Sequence, residues 1–372
     1  MEYLTKRIES KEVLWFKRAN KYLVFDPQFH QLFKKFNKES FENVEKYLIS
    51  ELELSRSEIS DLHHSFLTIK KQLSFKTSPL EHKKKILIPK KWTYTFTYLV
   101  YGFYIKINYS SSYVKELMHP KFAHLQSKSV RKQKAVIDVI EQGENLFLRL
   151  DNKEVEFRNK TEAHFLQGKF ALLLLNITHT KVDSNWMAVL HASAVFKNNK
   201  ALVFLGESGS GKSTASTLLS LNGYKLLADD FVPVESGSNK AYSFPAAISI
   251  KEHMLAYLEY FFPQLNKSEL RYKNEAVNYK YLYLTKLQAK PKCLPIKALI
   301  FIKHKKGVEA SFKQIKVLKA LEYLIPDSWI SSNEQNVESF LDWIEKTPSY
   351  QLEYSNSEDL LEISQKIMDD DL

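Results

Sequence analysis

The stretch GESGSGKSTASTLLSLNGYKLLADD, residues 206–230, decides how the chain is read. The sequence has only nine glycines, and three of them, Gly206, Gly209 and Gly211, fall within six residues. Lys212 and Ser213 follow at once, giving G-x-x-x-x-G-K-[ST]. Glycines in that spacing let the backbone curl so that successive N–H groups point inward and hold phosphate oxygens. The apolar run ALVFL before the loop predicts a buried strand. STASTLLSLNG after it has helical spacing ending at Gly223, so a helix starting near Lys212 aims its positive end at the same anion. The loop residues Gly206, Glu207, Ser208, Gly209, Ser210, Gly211, Lys212, Ser213 and Thr214 are therefore the expected cradle for a nucleotide, read as ATP. Lys212 supplies a mobile cation for the β- and γ-phosphates, and Ser213 a hydroxyl for Mg²⁺.

A phosphate loop alone names no reaction. The late apolar strand PIKALIFIKHKK ends in basic residues and carries no metal-binding carboxylate. The next apolar run after the loop helix, YKLLADDF, delivers Asp229 and Asp230 directly. A strand returning beside the loop strand would put these carboxylates near the γ-phosphate. Adjacent carboxylates there divide the work: one takes a proton from an incoming hydroxyl and the other helps hold Mg²⁺. His191 ends the run WMAVLH on the strand before the loop strand, which makes it a third candidate for the site.

The rest of the chain sets bounds. At 372 residues, with 44% hydrophobic and 26% charged residues, it reads as a globular chain of two or three domains. A lone cysteine, Cys293, excludes an internal disulfide framework and most thiolate metal sites. The first residues show no signal-peptide pattern, and the longest apolar run, GKFALLLLNI, is too short to span a bilayer. A cytoplasmic protein without membrane contact is expected. The net charge of +11 reads either as a lysine-rich solvated surface or as a surface for an acidic partner. No zinc-finger spacing, RNP-type motif or arginine-rich arm points to nucleic acid.

Three zones follow from composition and period. Residues 1–75 show a strand at YLVF, a turn at Asp26-Pro27 and then helices, with Ser40 as one cap and Ser55 with Glu58 as a capping box. Strand, helix, helix, helix is a small winged-helix-like pattern; His63 and His64 on its last helix read as surface or boundary residues. SFKTSPLEHKKKILIPKK reads as a linker or hairpin. Residues 90–160 are β-rich, with Asp151-Asn152 as a hairpin turn. From 161 to 372 a helix capped at Thr161, two strands around Asn198-Asn199-Lys200 and the phosphate loop predict an α/β domain on a mixed sheet.

LHASAV, GESGSGKS and LLADD, in this order, resemble the catalytic domain of HPr kinase/phosphorylase. The interval from Lys212 to Asp229 matches that family. The wider pattern, with Phe244-Pro245 and LPIKALIFI, is similar to the HPr-kinase-like serine kinases encoded near modified-peptide gene clusters. The resemblance covers roughly residues 90–372 and is strongest over 186–250. It implies a mixed-sheet phosphate-loop core and an ATP- and Mg²⁺-dependent kinase. The acceptor would be a serine or threonine hydroxyl on a peptide, a protein or a small molecule. It also implies Asp229 as general base, Ser213 on Mg²⁺ with Asp230 assisting, Lys212 on the phosphates and His191 in support. A basic residue downstream should face the phosphates, and Lys280 and Arg271 are the candidates. The family's glycine-rich, glutamate-containing signature is not found here, which weighs against HPr as substrate and against the reverse reaction. The N-terminal zone resembles the PqqD-like peptide-recognition fold, in which a peptide adds a strand to a sheet edge; a helical dimerisation or lid domain is the other reading. A nucleotide-dependent binding module and a phosphatase or phosphorylase remain as alternatives to the kinase, and a homo-oligomer is allowed.

Overall fold

The computed structural model describes residues 2–74, 85–129, 131–274, 277–284 and 292–371. Most of the linker expected at SFKTSPLEHKKKILIPKK lies outside the described residues. The fold is mixed α/β, with four sheets and ten α-helices among the described residues.

The N-terminal part starts with an antiparallel sheet, β1 (Tyr3–Ile8), β2 (Lys11–Phe16) and β3 (Lys21–Phe25). Helices α1 (Pro27–Lys38), α2 (Phe41–Leu52) and α3 (Arg56–Ser74) follow. The sequence pattern showed only the third strand. β2 is buried on both faces over Val13–Phe16 and so lacks the simple alternation that marks a half-exposed strand, while β1 has only Ile8 fully buried and is rich in charged residues. Val13 and Trp15 of β2 join the main core, while Leu14 and Phe16 pack under the helices with Phe33 and Phe66. Both expected caps are present: Ser40 accepts from the Asn43 N–H, and Ser55 and Glu58 bond reciprocally. His63 is half-buried and stacks on Phe41, and His64 is exposed.

The second sheet runs in chain order: β4 (Tyr94–Val100), β5 (Phe103–Tyr109), β6 (Ala135–Gln142), β7 (Asn145–Leu150) and β8 (Lys153–Asn159). Asp151 and Asn152, at φ 46° and 69°, make the expected β7–β8 turn. One pairing breaks the antiparallel rule. β5 and β6 are parallel, so the chain must cross over between them. The crossover contains helix α4 (Ser112–Met118) and a 3₁₀ stretch, His119–Leu125.

Helix α5 (Ala163–His179) opens the third part. Its approach is capped by Asn159, which accepts from the Thr161 N–H, rather than by Thr161. The large sheet then forms from β9 (Trp186–Leu190), β10 (Ser193–Lys197), β11 (Lys200–Leu205), and, after helix α6 (Lys212–Ser220), β12 (Lys225–Asp229), β13 (Val232–Glu235) and β14 (Lys240–Tyr242). A small antiparallel sheet follows, β15 (Ile248–Lys251), then helix α7 (Leu255–Phe261), β16 (Arg271–Asn274) and β17 (Val277–Leu282), with β17 central. The long strand β18 (Cys293–His304) returns to the large sheet, followed by β19 (Ser311–Gln314), α8 (Val317–Leu324), β20 (Ser328–Ile330), α9 (Glu334–Lys346), β21 (Ser349–Tyr354) and α10 (Ser357–Asp369). The strand order is β12-β10-β11-β18-β14-β13-β9-β20, with β21 paired to β18 and β19 to β21.

β11 is buried on both faces. Ala201, Val203 and Leu205 face the main core, and Leu202 and Phe204 face the core under α6 and α10. That is why ALVFL reads as a continuous apolar run. Two expectations need correction. The run ending in WMAVLH does not continue into the hairpin: it breaks at His191-Ala192, where the chain leaves its pairing with β13 and enters that with β12. The strand carrying the two aspartates does not lie beside the loop strand either. The tight β10–β11 hairpin, turning at Asn198-Asn199 with φ of 49° and 58°, puts β10 between them. β12 is antiparallel to β10 and so runs in the same direction as β11, which brings both C-terminal ends to one edge.

Candidate functional site at the glycine loop

The loop leaves β11 and turns into α6. Gly206 has φ +140°, and a Cβ there would stand 2.7 Å from the Ile302 carbonyl and 2.8 Å from Ser210 Oγ. Only glycine fits this close approach of loop to β18. Gly211, at φ +102°, precedes the first helical residue. Lys212 Nζ donates to the carbonyls of Gly206 at 2.6 Å and Glu207 at 3.2 Å, so the lysine folds back over its own loop. Burial lowers its pKa, with the carboxylates of Asp230, Asp327 and Asp229 opposing that shift. Glu207, Ser208 and Gly209 form the exposed tip, and Thr214 is half-buried in the first turn of α6. Ser210 Oγ is buried with no hydrogen-bond partner.

Ser213, one residue into the helix, donates to both Asp229 oxygens, at 3.0 and 3.1 Å. Asp229 ends β12, pairs with Ser193 of β10, and is 1% exposed. Its pKa is pushed up to about 6, first by burial and next by the Asp230 charge. Asp230 has a different setting. Its backbone is left-handed at φ 63°, its side chain is partly exposed, and it is ion-paired with Lys121. His191 Nε2 lies 3.4 Å from its other oxygen. The Lys121 ammonium above all holds this carboxyl down at about 2. Burial lowers the His191 pKa, against the pull of Asp230 and Asp327.

The site occurs here because two chain crossings coincide. Ser193 pairs with Asp229, and Leu190 pairs with Val232. His191-Ala192 and Asp230-Phe231 are the unpaired links between those pairs, so the sheet switch itself sets His191 against Asp230. The end of β11 and the start of α6 then meet the same edge.

The structure brings together Lys212, Ser213, Asp229, Asp230 and His191. It does not bring Lys280 to them. In β17 the register sets Lys280 opposite Ile250 and Tyr279 opposite Lys251. Side chains alternate faces, so Lys280 points away and bonds to Glu259 at 3.0 Å and to the Leu265 carbonyl at 3.1 Å. Arg271 directs its two terminal nitrogens to Glu116 and Glu269. The basic residue at the loop is Lys251: a Cβ on Gly209 would lie 3.4 Å from its Nζ. Three site residues had no signal in the sequence. Lys251 sits in a strand with no distinctive motif. Asp327 lies just before β20, whose Ser328 pairs with Leu190 beside His191. Lys121 comes from the β5–β6 crossover, 109 positions before its partner.

The donor set suits Mg²⁺. A serine hydroxyl with one or two carboxylates, completed by phosphate oxygens and water, matches a hard octahedral cation that keeps much of its own shell. Among the described residues no group of three or more His, Cys, Asp or Glu is placed to hold a metal ion. The buried, unpaired Ser210 Oγ inside the loop curl is a polar atom such a ligand would satisfy. A cleft of about 460 Å³ lined by Tyr101, Phe103, His179, Tyr242 and Cys293 contains neither loop nor aspartate residues. No helix among the described residues is long and apolar enough to cross a membrane. No protein-family model matches the chain, and no curated protein matches it.

Proposed function

We propose that the chain is an ATP- and Mg²⁺-dependent kinase with an HPr-kinase-like phosphate-loop core, transferring the γ-phosphoryl group to a serine or threonine hydroxyl. The observation that carries this reading is the Ser213–Asp229 contact: a phosphate-loop hydroxyl and a buried carboxylate meet at 3.0 Å, at the mouth of the loop. The loop N–H groups and the α6 N-terminus would hold the phosphates, with Lys212 released from its loop carbonyls to reach them. When bound through Ser213, Mg²⁺ would draw charge from the phosphates. Asp229, raised to about 6, is near the pKa that suits a base at neutral pH. It takes the hydroxyl proton as the acceptor oxygen bonds to phosphorus and the bond to the leaving ADP oxygen breaks. His191 supports Asp230, and Lys251 adds positive charge beside the loop. The three-stranded, three-helix N-terminal part supports a PqqD-like unit that takes an acceptor peptide on the β3 edge. An ATP-dependent reaction of this kind fits a cytoplasmic setting.

The test is mass spectrometry of cell extract treated with the protein and Mg-ATP. A defined species gaining one phosphate is expected, and Asp229→Asn should bind nucleotide yet transfer nothing. Nucleotide binding with no transfer to any species, or full transfer by Asp229→Asn, would overturn the reading.

A further inference from the structure

We propose that Lys121, supplied by the crossover of the five-stranded sheet, is a positioning residue for the aspartate pair: it fixes the Asp230 carboxylate on the His191 side and leaves Asp229 as the carboxylate facing Ser213. The proposal rests on the kinase reading for its consequence, though not for the contact itself.

Four observations carry it. First, Lys121 Nζ is ion-paired with Asp230 Oδ2 and His191 lies on Oδ1, so the two oxygens of one carboxylate have separate partners. Among the described residues no other lysine or arginine is ion-paired with Asp230. Second, Asp230 lies in the link between β12 and β13 and has a left-handed backbone. No strand register fixes its side chain there, so its direction depends on its partners. Third, Lys121 is rigidly mounted. Its carbonyl accepts from the Ala247 N–H at 2.9 Å. The flanking Pro120, Phe122 and Leu125 are buried, and Phe122 packs against Phe170 and Phe244 with ring centres at 5.8 and 5.9 Å. A long lysine side chain ordinarily gives up much rotamer freedom to hold one geometry; here the backbone on both sides is already fixed. Fourth, the contact joins two sheets, so the third part of the chain alone does not contain the complete site.

Two carboxylates side by side repel each other, and without a cation either one could swing toward Ser213. The ammonium removes that ambiguity. Asp230 has Lys121 and Lys212 as charge neighbours, and of the two only Lys121 is ion-paired with it.

The experiment uses the full chain with Lys121→Met and Lys121→Arg. Mg-ADP affinity is measured by calorimetry, and Mg-ATP consumption is followed as ADP release with water as acceptor. The expected result is affinity near that of the parent. Turnover should fall about 100-fold in Lys121→Met, the scale of a misplaced catalytic group, and recover most of that loss in Lys121→Arg. Parent-level turnover in Lys121→Met, an Arg variant no better than Met, or loss of Mg-ADP binding together with turnover would each overturn it. If the parent chain turns over no Mg-ATP with water as acceptor, the positioning claim is judged by urea unfolding of Lys121→Met, Asp230→Asn and the double variant, and the kinase reading by transfer to an acceptor as above. Non-additive midpoint shifts uphold the pairing, and additive ones refute it.

Discussion

The N-terminal sheet and the five-stranded sheet both precede the glycine loop, and neither carries a motif, yet they meet the rest of the chain differently. The N-terminal sheet sits against α9 and β20. Lys6 pairs with Asp342 and Glu345, Lys17 reaches Glu334, Asn20 donates to the Ile330 carbonyl, and Tyr22 meets Phe340 edge-on. The five-stranded sheet sends its crossover into the corner where the glycine loop and the two aspartates meet, with Lys121 on Asp230 and Phe122 on Phe244. Its parallel β5–β6 pair is the cause: an all-antiparallel sheet would need no crossover and would place nothing there. The first sheet is thus a docked accessory, and the second is part of the site.

Substitutions separate the two roles. The largest effect belongs to the corner itself. Asp229→Asn should lower transfer by about 1,000-fold or more while retaining Mg-ADP binding, measured as initial rate against calorimetric affinity. Phe122→Ala comes next. It removes a buried ring, for about 3–5 kcal/mol of stability by urea unfolding, and it loosens the mount of Lys121, so transfer should fall even where the chain remains folded. A third expectation concerns pH. Transfer should rise as pH passes about 6, where Asp229 becomes a carboxylate, and level off above; a rate independent of pH between 5 and 8 would remove Asp229 as base. The same shift has a stability consequence of opposite sense. Because the folded pKa exceeds the ordinary 3.8, Asp229 stabilises the fold fully only at low pH, and that contribution is lost as pH rises through about 6. Without Mg²⁺, Asp229→Asn should therefore be more stable than the parent at pH 8, on the order of 2 kcal/mol by thermal unfolding. The smallest effect lies at the N-terminal dock. Lys6→Met cuts a partly exposed pair and should cost about 1 kcal/mol or less, with turnover of Mg-ATP to water unchanged. A large loss of turnover there would erase the contrast between the two sheets.

Much of the fold was legible because it is local. The glycine loop, its strand and its helix occupy twenty residues with fixed spacing, and the Asn198-Asn199 and Asp151-Asn152 turns announce themselves by residue type. The caps at Ser40 and Ser55 are equally short-range. What escaped was a matter of partners. β2 was hidden because burial on both faces erases alternation, and β1 because Ile8 is its one fully buried residue. Thr161 was mistaken for a cap because the helix approach begins two residues earlier, at Asn159, to which the Thr161 N–H and hydroxyl both donate. Lys280 and Lys251 are both basic and lie on paired strands; the β15–β17 register sets Tyr279 rather than Lys280 beside Lys251, and a one-residue slip of β17 would turn Lys280 to Lys251's face.

The sequence by itself determined the glycine loop, the buried strand before it and the presence of two adjacent carboxylates soon after it, because backbone conformation and apolar period are set within a few residues. The tertiary structure alone decided how those carboxylates differ. One is sealed between Ser193 and Ser213, and the other is held by Lys121 and His191. That division depends on where the chain switches between pairings and where a distant crossover lands, and charges that meet across more than a hundred residues leave no periodic trace in the chain between them.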